Sequence, residues 1–442
     1  MSRLRKCSAS LLLLLLFITS WAIFLPRPAQ AAFPDLDLRI TGEIRLRGTS
    51  YHGDLPASPP GTLPDPLREE QQREIDAGAG GIGIRQTARL QLYLYPSSGV
   101  ALKVGLRHVG WWGIDRYTSG TYGAPLFLSD PFHVEELFAA IPVAAGTLYV
   151  GNQYLRFGEL GLLVATPLSQ EIDPTPLAAV LWESGVTPTN AGTANRYAFA
   201  LAAGRLWLQP VADDDGEKRF LAHDLVAGRL STTSAFELTP IRPATAREKT
   251  YPLRFGLNVL ALGVDRERGL SIDAYLPLGE GGYAGLEAAA IRLPDSAKLA
   301  LAAAGRLFWQ SPGDGQAANS TRWELEFTAG GAQAGYSPLL SELRSSGGRL
   351  PFGPAEVGLQ VRWRQTRGSF SAELGWEHRT PLAGTPAAAA TGEQSPSPRQ
   401  SASLRLGWKP PIPGLSAQVG YDHWWGEGRG YGRWLLEAAY AF

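Results

Sequence analysis

Cysteine is almost missing from this 442-residue chain, and the one present, Cys7, stands ahead of an apolar run near the amino terminus. Disulfides, thiol chemistry and covalent haem attachment are excluded for any product that has lost that segment. Long apolar runs are scarce too, since after residue 31 none approaches the roughly 20 residues that a membrane-crossing helix needs. Charge of one sign is not in excess: 41 basic residues meet 41 acidic ones, and nothing in that balance suggests nucleic acid. No G-x-S-x-G, H-E-x-x-H, P-loop or C-x-x-C spacing occurs. Five of the six histidines, His108, His133, His223, His378 and His423, are scattered and match no metal-site spacing. Neither catalysis nor a cofactor nor a bound metal is expected.

What the chain does have begins with Arg3, Arg5 and Lys6, an apolar run from Leu11 to Leu25, and Pro26-Arg27-Pro28-Ala29-Gln30-Ala31. That order is a secretory signal peptide over residues 1–31 with an A-x-A cleavage site, leaving residues 32–442 as one domain. The run is short for a bilayer span and prolines end it, which makes an uncleaved anchor the lesser reading. Cleavage removes four basic residues and no acidic one, so the mature chain carries a net charge of −4.

The mature portion is rich in short period-2 segments. Leu36, Leu38, Ile40, Gly42, Ile44 and Leu46 alternate with Asp37, Arg39, Thr41, Glu43, Arg45 and Arg47 without a slip. Such alternation suits a strand with hydrocarbon on one face and water on the other. It recurs at residues 86–94, 100–112, 253–263, 270–278, 297–309, 323–329, 357–364, 370–377, 402–409 and 415–425, and again at 432–442. Short turns (96–99, 366–368, 410–414) interleave with long connections (52–80, 113–132, 337–353, 380–399), and the long ones follow odd-numbered strands. This asymmetry predicts an all-β, transmembrane, antiparallel up-and-down β-barrel with short periplasmic turns and long external loops. About 410 residues at roughly 23 per strand and connection give about 18 strands, with 16 the next choice. Residues 158–250 are where the strand count is least defined. Apolar-parity aromatics gather near strand ends, Trp363, Phe370, Trp408, Tyr440 and Phe442 at one side and Trp112, Trp376, Trp425 and Trp434 at the other, as headgroup girdles do.

The opposite parity is basic. Arg39, Arg45, Arg47, Arg85, Arg89, Lys103, Arg107, Arg254, Arg362, Arg364 and Arg405 fall on it, with Glu43 among them. In a narrow channel such a stripe concentrates anions. The alternative is that arginine–glutamate ladders merely stiffen the wall, and the sequence leaves both readings open.

The closing segment from Gly432 to Phe442 resembles the carboxy-terminal signal of bacterial outer-membrane barrels, in which a terminal Phe engages the assembly machinery. Residues 133–169, with Gly151-Asn152-Gln153 and then Phe157-Gly158, resemble the alginate-export family of outer-membrane porins. Strand 1 through Thr41-Gly42-Glu43 and strand 2 with Arg85 and Arg89 look like that family's opening. The resemblance implies a solute pore in which Gln153 takes part. Asn152 stands where the family usually has arginine, a departure that bears on polyuronate selectivity. Leu148 and Val150 put Asn152 and Arg156 on the lipid parity, which a bulge would correct. Residues 159–176, partly apolar and rich in turn formers, suggest a loop folded into the pore as a constriction.

Together these readings point to a passive outer-membrane diffusion channel, not an enzyme, for small hydrophilic and preferentially anionic solutes such as acidic sugars or oligosaccharides. Its expected partners are outer-membrane lipid, the barrel-assembly machinery and those solutes; oligomerisation is left open. A structural, receptor or sheath-type barrel without open-pore activity is the alternative, and a secreted soluble sandwich or propeller the third class.

Overall fold

The structure, a computed structural model, describes residues 36–53, 83–96, 99–114, 125–129, 133–143, 146–166, 177–184, 196–207, 211–212, 218–219, 222–236, 251–262, 268–278, 281–292, 298–311, 321–336, 341–343, 349–382, 399–426 and 429–442. The signal peptide expected over residues 1–31 and residues 167–176 of the expected constriction lie outside them.

Eighteen long strands form the wall. In chain order they are β1 (Leu36–Gly53), β2 (Gly83–Pro96), β3 (Ala101–Ile114), β4 (His133–Val143), β5 (Gly146–Gln153), β6 (Leu177–Ser184), β7 (Arg196–Trp207), β8 (Ala222–Phe236), β9 (Tyr251–Leu262), β10 (Arg268–Pro277), β11 (Gly282–Arg292), β12 (Leu299–Gln310), β13 (Thr321–Ala332), β14 (Glu356–Arg367), β15 (Phe370–Pro381), β16 (Arg399–Trp408), β17 (Leu415–Gly426) and β18 (Arg429–Ala441). Each pairs antiparallel with its chain neighbours, and β1 pairs with β18, so the sheet closes on itself. The short strand Pro125–Ser129 extends the β4 position along the upper part of β3. Closure matters because an unpaired edge inside a bilayer would leave backbone donors and acceptors unsatisfied.

Period-2 patterning fixes which face is which. Ile40, Leu102, Phe199, Phe255, Ile272, Leu286, Leu325, Leu374, Leu406 and Trp434 all stand exposed on the outer surface, an apolar band around the cylinder. Their neighbours in sequence point inward. At the rim carrying Leu36 and Phe442 the outer aromatics include Phe370, Trp408, Tyr440 and Phe442; at the far rim His52, Tyr421, His423, Trp425 and Trp434 stack in a belt.

The strand count of 18 agrees with the sequence reading, as does the placement of long connections after odd-numbered strands before residue 130 and after residue 330; between them the phase breaks, since the connections after β6, β8 and β12 are long too. Six strands outside the period-2 segments of that reading complete the wall: β4 and β5 in the stretch that resembles the alginate-export family, β6, β7 and β8 in the poorly defined middle, and β11.

Candidate functional site

The inner face of β1 to β3 carries the basic stripe, and most of it is matched by acids. Arg39 pairs with Asp37 at 3.1 Å near the rim, Arg45 with Glu43 at 2.6 Å, and Arg47 with Glu437 of β18 at 2.9 Å. Arg85 stands opposite Arg47 and Arg107 opposite Arg89 in the cross-strand register. Like charges so placed repel unless anionic groups lie nearby.

Those groups come from an irregularity in β4. Its register with β3 shifts between Gly105 and Leu106, so two consecutive residues, Glu135 and Glu136, both turn inward while Val134 and Leu137 stay outside. Glu135 reaches Arg89 at 3.2 Å and Glu136 reaches Lys103 at 2.5 Å. A bulge does what regular pleating cannot, placing adjacent carboxylates on one face. It lies one strand before the position where the sequence parity faltered. Asn152 keeps the outward parity of Leu148 and Val150, beside Leu137 and Ala178. Gln153 is enclosed, 4% exposed, and its Nε2 donates to the Ala179 carbonyl. Arg156 is off the wall altogether, because the chain turns into the lumen after β5.

Just across the β1–β18 seam, Arg405 and Arg433 converge on Asp422 of β17, at 2.5 Å and 2.8 Å. Arg364 pairs with Glu373 at 2.5 Å and stays half-exposed.

Two connections fold inward and meet. The first, after β5, makes a hairpin in which Arg156–Phe157 pairs with Val164–Ala165. Leu155, Phe157, Leu160, Leu162, Leu163 and Val164 on it are completely buried. The second, after β13, buries Tyr336, Leu343, Leu350 and Phe352. They join through Glu342 N donating to Gly161 O at 2.8 Å, Tyr336 Oη donating to Leu162 O at 3.0 Å, and the Arg156–Glu342 pair at 3.7 Å. The wall behind them is apolar on its inner face as well, with Leu181, Ala202, Leu225, Ala227, Leu260, Leu262 and Ile291 in one cluster with the loops. A dry core therefore occupies one side of the lumen. Glycines in the wall make room for it: a Cβ at Gly269 would lie 2.3 Å from Leu163 Cδ1.

Beneath this core runs a polar chain across four strands. Arg229 of β8 holds Asp273 of β10 through two hydrogen bonds of 2.8 Å and 3.0 Å, and Asn258 of β9 donates to Asp273 and to Ser271. Ser271 Oγ donates to Glu287 of β11 at 3.0 Å, and Glu287 in turn accepts from the first inward loop.

The tip of that loop presents Glu159 to the lumen, 4.0 Å from Arg254, which lies over the Tyr275 ring at 4.2 Å. Tyr275, Tyr283 and Phe308 stack nearby, and Arg306 pairs with Glu326 at 3.1 Å. Burial pushes the Glu159 carboxyl above its usual range, opposed by Arg254 and Arg156. Burial lowers Arg349 on the second loop; Glu342 opposes that shift, and Arg156, Arg362 and Arg306 add to it. Arginines from two loops and three strands thus crowd the constriction, a field in which an anion's charge is favoured.

Of the residues singled out from sequence, Arg45, Arg47, Glu43, Arg85, Arg89, Lys103 and Arg107 sit together on the inner face of β1 to β3, and Arg39 lies at the rim. Arg254, Arg362, Arg364 and Arg405 occupy the inner face elsewhere, with Arg254 and Arg362 near the loops. The sequence reading did not single out Glu287, Glu135, Glu136, Glu342 or Arg349. For Glu287 a signal existed: it is the lone acid in the otherwise apolar stretch 283–291.

A closed 18-stranded antiparallel barrel, apolar outside, charged inside and narrowed by inward loops, has the fold of an outer-membrane porin. Solved structures agree. The chain is similar to OpdK, an outer-membrane protein of Pseudomonas aeruginosa, with 14% identity, a TM-score of 0.52, and coverage of 91% of this chain and 99% of that one. It is similar to Pseudomonas aeruginosa OpdK solved with vanillate (12% identity, TM-score 0.54, 91% and 98% covered) and to OccK2, or OpdF, of the same organism (11%, 0.55, 92% and 98%). No family model matches the chain, and no curated protein is similar to it by sequence.

Proposed function

We propose that this protein is a passive, non-catalytic diffusion channel of the bacterial outer membrane, selective for small hydrophilic anions. The observation that carries the reading is the constriction itself, where Arg156, Arg254, Arg306, Arg349 and Arg362 gather from loops and wall around a few acids. Guanidinium forks bind carboxylates in two-point contacts, so organic acids fit such a ring better than halides do. Acidic sugars are one class, supported by the resemblance of residues 133–169 to alginate-export porins. Aromatic carboxylates are another, supported by the solution of OpdK with vanillate and by Tyr275, Tyr283 and Phe308 beside Arg254. Residues 1–31 act as the secretion signal, and the strand ending at Phe442 is read by the assembly machinery.

The purified protein, reconstituted in a planar bilayer under a salt gradient, should conduct with a reversal potential favouring anions, more strongly at low ionic strength. Cation preference would end the selectivity reading. A sealed bilayer would end the channel reading and favour a sheath or structural barrel.

A further inference from the structure

Glu287 sits in β11 with 3% of its surface exposed, and among the described residues it makes no ion pair. Its carboxylate instead takes three backbone amides in succession: Leu160 N at 2.9 Å and Gly161 N at 2.8 Å on Oε2, and Leu162 N at 3.2 Å on Oε1. Consecutive amides of an extended chain point in opposite directions, so aiming three at one group requires a turned backbone. Gly158 and Gly161 supply it with φ of +93° and +69°. There is no slack: a Cβ at Gly158 would lie 2.5 Å from Glu287 Oε1.

We propose that Glu287 is the positioning residue of the constriction, holding both inward loops in the lumen and thereby setting the current the channel passes. The inference rests on the channel reading above. The order of attachment carries it. From the wall side, Ser271 orients the carboxylate and is itself held by Asn258, Asp273 and Arg229. From the lumen side, the carboxylate grips residues 160–162. The second loop is tied to that same turn, through Gly161 O and Leu162 O. Apolar burial supplies much of the packing energy, but it is non-directional; the carboxylate specifies where the turn stops. The dependence is mutual, because withdrawal of the loop would leave an enclosed carboxylate with one hydroxyl donor in place of four.

Glu287→Gln keeps the side-chain volume but replaces one acceptor oxygen with an amino group facing backbone N–H donors. Open-channel conductance should rise roughly twofold or more, with added fluctuation between levels, as expected where a constriction limits the current. Glu287→Asp, retaining the charge, should recover quiet openings in part. Gly158→Ala attacks the same contact from the loop without touching the wall, and should reproduce the noisy, higher current even if the Gln variant fails to fold. Trypsin provides a readout that needs no conduction: Arg156 and Arg349 should be cut faster in both variants than in the wild type, on barrels that keep heat-modifiable migration. Wild-type conductance and noise with unchanged tryptic protection in the variants that fold would overturn the proposal. If the wild type itself passes no current, the channel reading fails, and tryptic protection alone decides whether Glu287 positions the loops.

Discussion

The distal edge of the Phe442 ring covers Gly42 across the β1–β18 seam. Two backbone hydrogen bonds of 2.9 Å, Gly42 N to Phe442 O and Phe442 N to Gly42 O, close the seam there. A Cβ at Gly42 would meet the ring at 2.3 Å, so the aromatic occupies the space that the missing side chain leaves. Gly42→Val should displace the ring at a cost of about 1–3 kcal/mol, the usual range for overpacking. The expected result is a smaller heat-modifiable fraction when the purified chain is refolded in detergent, without the assembly machinery, partly restored by Phe442→Ala in the same chain. A Gly42→Val protein with wild-type folded yield would argue that the seam is set elsewhere.

Ion pairs along the inner wall should differ sharply in worth. Asp422 is 3% exposed and satisfies both Arg405 and Arg433, the latter 5% exposed. Asp422→Ala would leave two cations enclosed without their acid and should cost about 3–5 kcal/mol. Arg39→Ala, at a pair whose side chains are 68% and 51% exposed, should change stability by about 0–1 kcal/mol. Denaturant unfolding in detergent, measured on both variants, tests the contrast; equal losses would contradict it.

Selectivity should depend on pH through Glu159. Burial raises its carboxyl above an ordinary glutamate, so on acidification it takes up its proton before exposed carboxylates do. Once neutral it no longer offsets Arg254 and Arg156, and anion preference should increase. The effect is present below its raised pKa and lost as pH climbs through it. Glu159→Gln should show the stronger preference at all pH values and flatten this part of the profile. Reversal potentials recorded across the acidic range would reveal a failure of the idea if both proteins titrate alike.

How much of this was legible in the sequence depended on what each strand faces inside. Strands such as β1, β2 and β16 meet oil on one face and water or ion pairs on the other, and their period-2 contrast is plain. Strand β11 reads Gly282-Tyr283-Ala284-Gly285-Leu286-Glu287-Ala288-Ala289-Ala290-Ile291-Arg292, apolar on both parities, because Ala289 and Ile291 pack on the inward loops. Strands β6 to β8 lost their contrast for the same reason, through Leu181, Ala202, Leu225 and Ala227. Residues 159–176 suggested one constricting loop; residues 337–353 suggested only a long external one, since no alternation signals that Leu343, Leu350 and Phe352 will seek an interior. The two adjacent acids of β4 broke the pleat rule, and only the register with β3 shows that both point the same way.

The dry cluster occupies one flank of the cylinder, so the passage is eccentric. At that level the open space lies beside β14 to β18 and β1 to β4, with the ion pairs of the wall on one hand and Arg156, Glu159 and Arg349 of the two loops on the other, the loop hydrocarbon being sealed behind them. On the channel reading, an anion there meets charged groups on both flanks and never touches the oil-like packing that narrows its way.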